Sequence, residues 1–189
     1  MMSIGFVLML GCSISGNTNP MSSQIVKHID TISTVGSTRH LTDIRKDTAI
    51  SEQSQEFAKV LKYVSQTSKR SCTEKEEIAK TIYRVALEND IDICFILAQG
   101  TIETHLGTTG IGRSRKSIFG VYRTYPSYTH CIKDYARILK KSYLVRGRTE
   151  KDLMKRYVTI GGARYAGDPD YEKHLQEAYK NVKRAMSDV

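Results

Sequence analysis

The chain has 189 residues and a net charge of +9, with a hydrophobic fraction of 40% and a charged fraction of 26%. These values are typical of a soluble globular protein with one good-sized core and an extension, and they argue against a largely disordered chain. The positive charge suits an anionic partner such as nucleic acid, an acidic membrane surface or a bacterial wall, but charge alone does not choose among them.

The N-terminal 12 residues are apolar up to Leu10 and end in Gly11-Cys12. The run is too short to span a bilayer, and it has the form of a lipoprotein signal with a cleavage box, although it lacks Lys and Arg. We therefore expect export with Cys12 lipidated; the alternative is a disordered or buried apolar N-terminus of a protein that is not exported. Residues 13–50 are polar and read as a tether or extension with at most one short helix, and residues 51–189 form the folded domain.

Helical periodicity begins near Glu52 and becomes clear over 73–89, where Thr73 and Glu76 have the spacing of a capping box. The next segment, from Ile91 onward, is apolar on nearly every side, which predicts a helix buried in the core. Asp92 can cap its start, and Gly107 lies just past its end, where a left-handed residue commonly closes a helix.

One carboxylate, Glu103, lies in the last turn of this apolar helix. Its helical neighbours at three and four residues are Gln99, Gly100, Leu106 and Gly107, and none is cationic. A desolvated carboxyl group without a partner tends to keep its proton, which is the state that a general acid needs near neutral pH. The alternative is a glutamate at a helix end that points into water.

A glycine-rich basic loop follows over 108–116, and Gly107 to Ser114 comes close to a phosphate-binding loop. Such a loop needs a preceding strand and a lysine, and here a helix precedes and Arg113 replaces the lysine, so we do not expect a nucleotide site. Residues 117–128 alternate bulky side chains and predict an extended segment, at most one arm of a small hairpin.

Three further helices are predicted. The first covers 129–143. The second begins at the Thr149–Asp152 capping box and ends at Gly161-Gly162. The third starts at Asp168-Pro169, where an N-cap aspartate precedes a first-turn proline, and we expect Asp168 to be a cap rather than a catalytic acid. The fold class is thus mainly α.

Four elements, in order, resemble the bacterial and phage glucosaminidases of glycoside hydrolase family 73, the autolysin and flagellar muramidase type. They are Leu97-Ala98-Gln99 with Ile102-Glu103-Thr104, then Ser117-Ile118-Phe119-Gly120-Val121, Tyr125-Pro126-Ser127-Tyr128, and Arg164-Tyr165-Ala166-Gly167-Asp168-Pro169-Asp170-Tyr171. The resemblance implies a lysozyme-like helical domain. It also implies cleavage of the β-1,4 bond between N-acetylglucosamine and N-acetylmuramic acid in peptidoglycan.

The resemblance also implies roles for particular residues. Glu103 would be the general acid, and Tyr165 the tyrosine that faces it across the cleft. Gln99, Phe119, Tyr122 and Tyr125 would contact the sugars, although Phe119 could equally be a core residue. No cofactor is implied, and the spacings of Cys12, Cys72, Cys94 and Cys131 match no zinc pattern.

The chain departs from the family pattern in the position of its acidic residues. Members often carry a second acidic residue on a hairpin after the Phe-Gly element, but no Asp or Glu occurs between Thr104 and Lys133. The acetamido group of the substrate could then act as the nucleophile, or the muramyl hydroxyl could attack as in lytic transglycosylases. The main rival is a glycan-binding or structural module, for example of a phage particle, that does not cut.

The expected partner is peptidoglycan outside the cytoplasm, with possible membrane attachment through lipidated Cys12 or, alternatively, a place in a phage virion. A nucleic-acid partner is not expected, because that interpretation depends on charge alone and no recognition element is apparent.

Overall fold

The computed structural model describes residue 53 and residues 55–187, which form a mainly helical domain. The first helix, α1, covers 55–67. The others are α2 (Cys72–Asn89), α3 (Ile93–Thr104), α4 (Gly110–Ser114), α5 (Tyr128–Ile138), a π-helical continuation of α5 (Leu139–Tyr143), α6 (Glu150–Lys155) and α7 (Tyr171–Ser187). The expectation of a mainly α, lysozyme-like domain is confirmed. The predictions for residues 1–12, including Cys12, and for 13–50 lie outside the described residues.

Helix α3 lies at the centre of the core, as its uniformly apolar sequence predicts. Phe95, Ile96, Leu97 and Ala98 are all fully buried. It packs chiefly against α7, while α2 packs against α5. Because the middle of α3 is fully covered, only residues near its two ends approach solvent, and Glu103 lies in the C-terminal turn.

Two predicted helix boundaries are right. The Asp92 side chain caps α3 by accepting a hydrogen bond from the Cys94 amide at 2.8 Å. A reciprocal capping box between Thr149 and Asp152 opens α6. Short polar side chains at these positions satisfy amides that have no partner within the helix, and this local chemistry can be read from sequence.

The N-cap of α2 lies two residues before the predicted one. The capping box is Ser71–Glu74, not Thr73–Glu76, and the helix begins at Cys72. Both pairs have the required spacing, but Glu74 also forms a salt bridge with Arg70 at 2.6 Å. That second partner favours the earlier box.

The end of α6 and the start of α7 also differ from the predictions. Helix α6 stops at Lys155 rather than at Gly161-Gly162. The chain then folds back through an antiparallel bridge between Val158 and Arg164. Helix α7 begins at Tyr171, and Asp168 stands before it in a turn, where its Oδ1 accepts from the Asp170 amide at 2.9 Å.

The cause of the early stop in α6 is a set of nonlocal bonds. The Tyr157 amide donates to the Glu172 carboxylate at 2.9 Å, and Arg148 donates to the Val158 carbonyl at 2.8 Å. These bonds hold the backbone extended where a local pattern favours helix.

The predicted hairpin arm over 117–128 is not a strand. These residues form turns and irregular chain between α4 and α5, and the Val158–Arg164 bridge is the only β-pairing within the described part of the chain. Cys72, Cys94 and Cys131 are free thiols. No helix in the described ranges has the length and apolarity needed to cross a membrane.

Candidate active site

Glu103 lies where α3 ends and the core opens to solvent. The helix is closed by His105 and Leu106, which both adopt left-handed backbone angles with φ of 49° and 51°. The half-buried carboxyl group lines a pocket of about 440 Å³. The other lining residues are mostly aromatic or small: Phe119, Gly120, Val121, Tyr122, Ile138, Tyr143, Tyr165 and Ala166.

The Glu103 carboxyl group is more basic than an ordinary glutamate. Burial raises its pKa because the charged form loses hydration, and a hydrogen bond from Tyr171 partly opposes this rise. The Tyr171 hydroxyl donates to Glu103 Oε1 at 2.6 Å. No salt bridge in the described residues involves Glu103, so no nearby cation cancels the effect of burial.

Gly120 packs its backbone directly against this carboxyl group. Its φ is +73°, and a Cβ built there would lie 2.9 Å from Glu103 Cδ and closer still to Oε2. A side chain at this position would therefore require both an unfavourable backbone conformation and a displaced carboxyl group. The Phe-Gly pair of the sequence motif thus has a steric role beside Glu103.

Tyr165 forms one wall of the pocket, and its position is fixed from several sides. Its hydroxyl donates to the Phe119 carbonyl at 2.6 Å, and its amide donates to the Tyr157 carbonyl at 2.9 Å. Its ring stacks on Tyr157 with centroids 4.4 Å apart. Burial raises the pKa of Tyr165 well above its ordinary value, so the hydroxyl stays neutral.

The segment that carries Tyr165 is itself clamped onto α7. Arg164 forms a salt bridge with Glu172 at 2.7 Å, and the same carboxylate accepts from the Tyr157 amide. Tyr165 and Tyr171 consequently lie side by side, with ring centroids 5.5 Å apart. The two tyrosines of the last motif element are brought together on one side of Glu103.

Among the predicted sugar contacts, Tyr122 is the most accessible. Its side chain is 84% exposed at the pocket edge, and the Arg115 guanidinium lies 5.7 Å from its ring centroid. Phe119 lies at the pocket but is fully buried, stacked on Tyr135 with centroids 3.7 Å apart. Phe119 therefore supports the floor of the pocket and does not present a free face for stacking.

Two predicted contacts lie away from the pocket. Gln99 is fully buried, and its Oε1 accepts hydrogen bonds from the Tyr135 and Tyr157 hydroxyls. Tyr125 is 6% exposed, and its hydroxyl donates to Asp134 at 2.9 Å. Neither residue lines the pocket. The Gln99 oxygen and the Tyr125 hydroxyl are used in internal hydrogen bonds, and Gln99 Nε2 is buried without a hydrogen-bond partner in the described chain.

Sequence reasoning missed Tyr171, Ile138 and Tyr143. Tyr171 closes the Arg164-to-Tyr171 motif element, and that was a usable signal for it. Ile138 and Tyr143 belong to α5 and its π-helical continuation, and no local sequence pattern indicated that either residue would line the pocket. No cluster of three or more His, Cys, Asp or Glu residues in the described chain could hold a metal ion.

The sequence was compared with known proteins. A family model described as glucosaminidase, mannosyl-glycoprotein endo-beta-N-acetylglucosaminidase, matches residues 79–184, which is more than half of the chain. An N-acetylmuramoyl-L-alanine amidase domain-containing protein of Staphylococcus aureus is 24% identical over 148 residues, covering 60% of this chain and 24% of the relative. The chain thus spans about a quarter of that relative's length. No solved structure gives a significant match.

Proposed function

The chain belongs to the glucosaminidase family, and we propose that it hydrolyses peptidoglycan at the β-1,4 bond between N-acetylglucosamine and N-acetylmuramic acid. The observation that carries this proposal is Glu103, an acid with a raised pKa in an aromatic-lined pocket. A carboxyl group that stays protonated toward neutral pH is suited to donate a proton to the oxygen of a leaving sugar.

Tyr171 positions the acid in this mechanism. It is 7% exposed, and burial raises the pKa of its hydroxyl far above the ordinary value, so the group remains a neutral donor. Its bond to Oε1 leaves Oε2 of Glu103, the oxygen beside Gly120, free to carry the proton. Tyr122, which is 84% exposed, offers aromatic surface to a pyranose ring, and the less exposed rings of Tyr143 and Tyr165 line the same pocket.

The second half of the reaction is assigned to the substrate. Glycosidases with two carboxylates hold them about 5 to 10 Å apart across the scissile bond. Glu103 is the only acidic residue among those that line this pocket in the described chain. We propose that the acetamido oxygen of N-acetylglucosamine attacks the anomeric carbon as the bond to the leaving oxygen breaks and Glu103 gives that oxygen its proton. Water then opens the ring and returns a proton to Glu103.

The missing second carboxylate also supports two alternatives. In a lytic transglycosylase the muramyl hydroxyl replaces water and leaves a 1,6-anhydro sugar. In a glycan-binding or structural module, such as a component of a phage particle, the pocket binds sugars without cutting them. The burial of Glu103 in this pocket, which raises its pKa, favours a catalytic role, because acids with perturbed pKa values cluster at catalytic sites.

Mass spectrometry of digested peptidoglycan tests the proposal. We expect fragments that end in reducing N-acetylglucosamine. We also expect the cleavage rate of Glu103→Gln to be lower than that of the wild type by about a hundredfold or more. Reducing muramic acid ends would assign a different bond, and anhydro-muramyl ends would assign the transglycosylase reaction. Glycan binding without cleavage by the wild-type protein would support the binding module.

We also propose that the protein acts on the wall from outside the cytoplasm and that lipidated Cys12 attaches it to a membrane. The apolar run before Gly11-Cys12 supports this proposal. Intact-mass analysis from the native host should show a mature chain that starts at acylated Cys12, whereas a chain starting at Met1 would contradict it.

A further inference from the structure

A glutamine amide lies buried in the apolar helix α3, one turn before Glu103. The Gln99 side chain is fully buried, and its Oε1 accepts hydrogen bonds from two tyrosine hydroxyls, that of Tyr135 and, at 2.9 Å, that of Tyr157. Its Nε2 is buried as well and has no hydrogen-bond partner within the described chain. We call Gln99, Tyr135 and Tyr157 the amide cluster.

Stability alone does not explain a polar cluster at this place in the core. A buried donor without a partner costs free energy, whereas replacing both partners of a buried hydrogen bond by apolar groups of the same shape can be nearly neutral. Gln99→Met, Tyr135→Phe and Tyr157→Phe together would fill about the same space without a buried polar group. What the amide cluster adds is direction, because each tyrosine ring must stand where its hydroxyl reaches the same oxygen.

The two rings that Gln99 holds are stacked on two residues of the Glu103 pocket. Tyr135 lies against Phe119, with centroids 3.7 Å apart and planes 13° from parallel. Tyr157 lies against Tyr165, with centroids 4.4 Å apart and planes 7° from parallel. The floor and one wall of the pocket therefore rest on rings whose hydroxyls share a single acceptor.

The floor and the wall meet at the backbone beside the acid. The Tyr165 hydroxyl donates to the Phe119 carbonyl at 2.6 Å. The next residue, Gly120, is so close to the acid that a Cβ built on it would lie 2.9 Å from Glu103 Cδ. A shift of either ring is consequently passed to the backbone that contacts the carboxyl group.

We propose that Gln99 is a positioning residue for the Glu103 pocket, which acts through the amide cluster on the backbone beside the acid. Its effect on cleavage rests on the proposed function. Gln99 does not line the pocket, so it acts through other residues and does not touch the glycan. Catalytic groups need such support from behind, because small displacements of the reacting groups cost large factors in rate.

The test uses two variants and one control. Gln99→Met removes the shared acceptor and leaves two buried hydroxyls without it. The triple variant Gln99→Met, Tyr135→Phe and Tyr157→Phe removes the hydroxyls too. The control is Thr81→Val, which removes another buried hydroxyl, one that pairs with the Thr129 hydroxyl at 3.2 Å between α2 and α5 and does not line the pocket.

Three quantities are measured for each protein: the melting temperature, kcat and KM on short soluble glycan, and the titration midpoint of the Glu103 carboxyl group by carbon-13 NMR. In Gln99→Met we expect kcat to fall at least about tenfold below that of Thr81→Val, with KM nearly unchanged. We expect the Glu103 midpoint to move to lower pH, because burial raises this pKa and a loosened pocket admits water.

The triple variant separates positioning from stability. It should melt above Gln99→Met, because no tyrosine hydroxyl is left without its acceptor, yet its kcat and its Glu103 midpoint should stay as low as those of Gln99→Met. A triple variant that regains the wild-type rate together with stability would overturn the proposal. So would a rise in KM at unchanged kcat in Gln99→Met, which would make Gln99 a glycan contact.

The NMR titration also separates this inference from the proposed function, because it needs no cleavage. If the wild type cuts no glycan, the proposed function fails, while a lowered Glu103 midpoint in both Gln99 variants and not in Thr81→Val still supports the positioning role. An unchanged midpoint in both Gln99 variants would refute that role, whatever the cleavage assay shows.

Discussion

The close approach of Gly120 to Glu103 predicts that a single methyl group disables the site. In Gly120→Ala the new Cβ would lie 2.9 Å from Glu103 Cδ, whereas carbon atoms normally stay about 3.5 Å or more apart. The carboxyl group must therefore move by about 0.6 Å or more, and a misplacement near 1 Å costs on the order of a hundredfold in rate. The positive φ of +73° adds about 1–2 kcal/mol of backbone strain to the folded state.

Gly147→Ala is the matched control for this prediction. Gly147 has a similar φ of +77°, but a Cβ there would meet no atom within 4 Å. Denaturant unfolding should show the shared backbone strain of about 1–2 kcal/mol in both variants and a further loss in Gly120→Ala from the displaced carboxyl group. Release of soluble fragments from peptidoglycan should fall about a hundredfold only in Gly120→Ala. If Gly120→Ala stays within a few-fold of Gly147→Ala in rate, the contact does not position the acid.

Three further predictions concern Glu103 and its tyrosines. Because the folded state raises the pKa of Glu103, its contribution to stability is present below the unfolded pKa of about 4.3 and is lost as pH rises. Glu103→Gln should therefore melt higher than the wild type at pH 7 but not at pH 3.5, and thermal unfolding at both values checks this. Tyr171→Phe removes a hydrogen bond that lowers the pKa of Glu103, so the basic limb of the pH–rate profile should move to higher pH. Tyr143→Phe is the control and should leave that limb unchanged, because the Tyr143 hydroxyl does not bond to Glu103. Tyr165→Phe loses its bond to the Phe119 carbonyl, which costs about 1 kcal/mol of stability. Because that carbonyl precedes Gly120, which packs on Glu103, the cleavage rate should fall by more than the roughly fivefold that 1 kcal/mol represents. A rate loss no larger than the stability loss would make Tyr165 a packing residue.

The burial of the central helix and the raised pKa of its Glu103 carboxyl group could be predicted because the relevant signals are local. Uniform apolarity over α3 indicates burial, and the absence of cations near Glu103 in sequence agrees with its raised pKa in the fold. The Asp92 cap likewise needs only a neighbouring amide. Such features are encoded within about one helical turn.

The surroundings of the acid could not be predicted in the same way. Tyr171 and Glu103 are 68 residues apart, and their hydrogen bond exists only because α7 packs on α3. Gln99 was predicted to contact sugar from its place beside Glu103 in the motif, but tertiary packing buries it under Tyr135 and Tyr157. A motif reports which residues occur together and not which of them face the cleft.

The nature of the second catalytic group leads to the last prediction. If Glu103 protonates the leaving oxygen, as proposed, the developing positive charge on the sugar needs a partner, and no other carboxylate lines the pocket in the described chain. The neutral hydroxyls of Tyr165 and Tyr171 are committed to the Phe119 carbonyl and to Glu103. If the acetamido oxygen supplies that partner, glycan whose N-acetyl groups have been removed should be cut very poorly, although it still binds. The measurement is the initial rate on matched acetylated and de-N-acetylated glycan, with re-acetylated glycan as the control. Rapid cleavage of the de-N-acetylated strand would mean that a carboxylate beyond this pocket, or a water held by its tyrosines, completes the reaction.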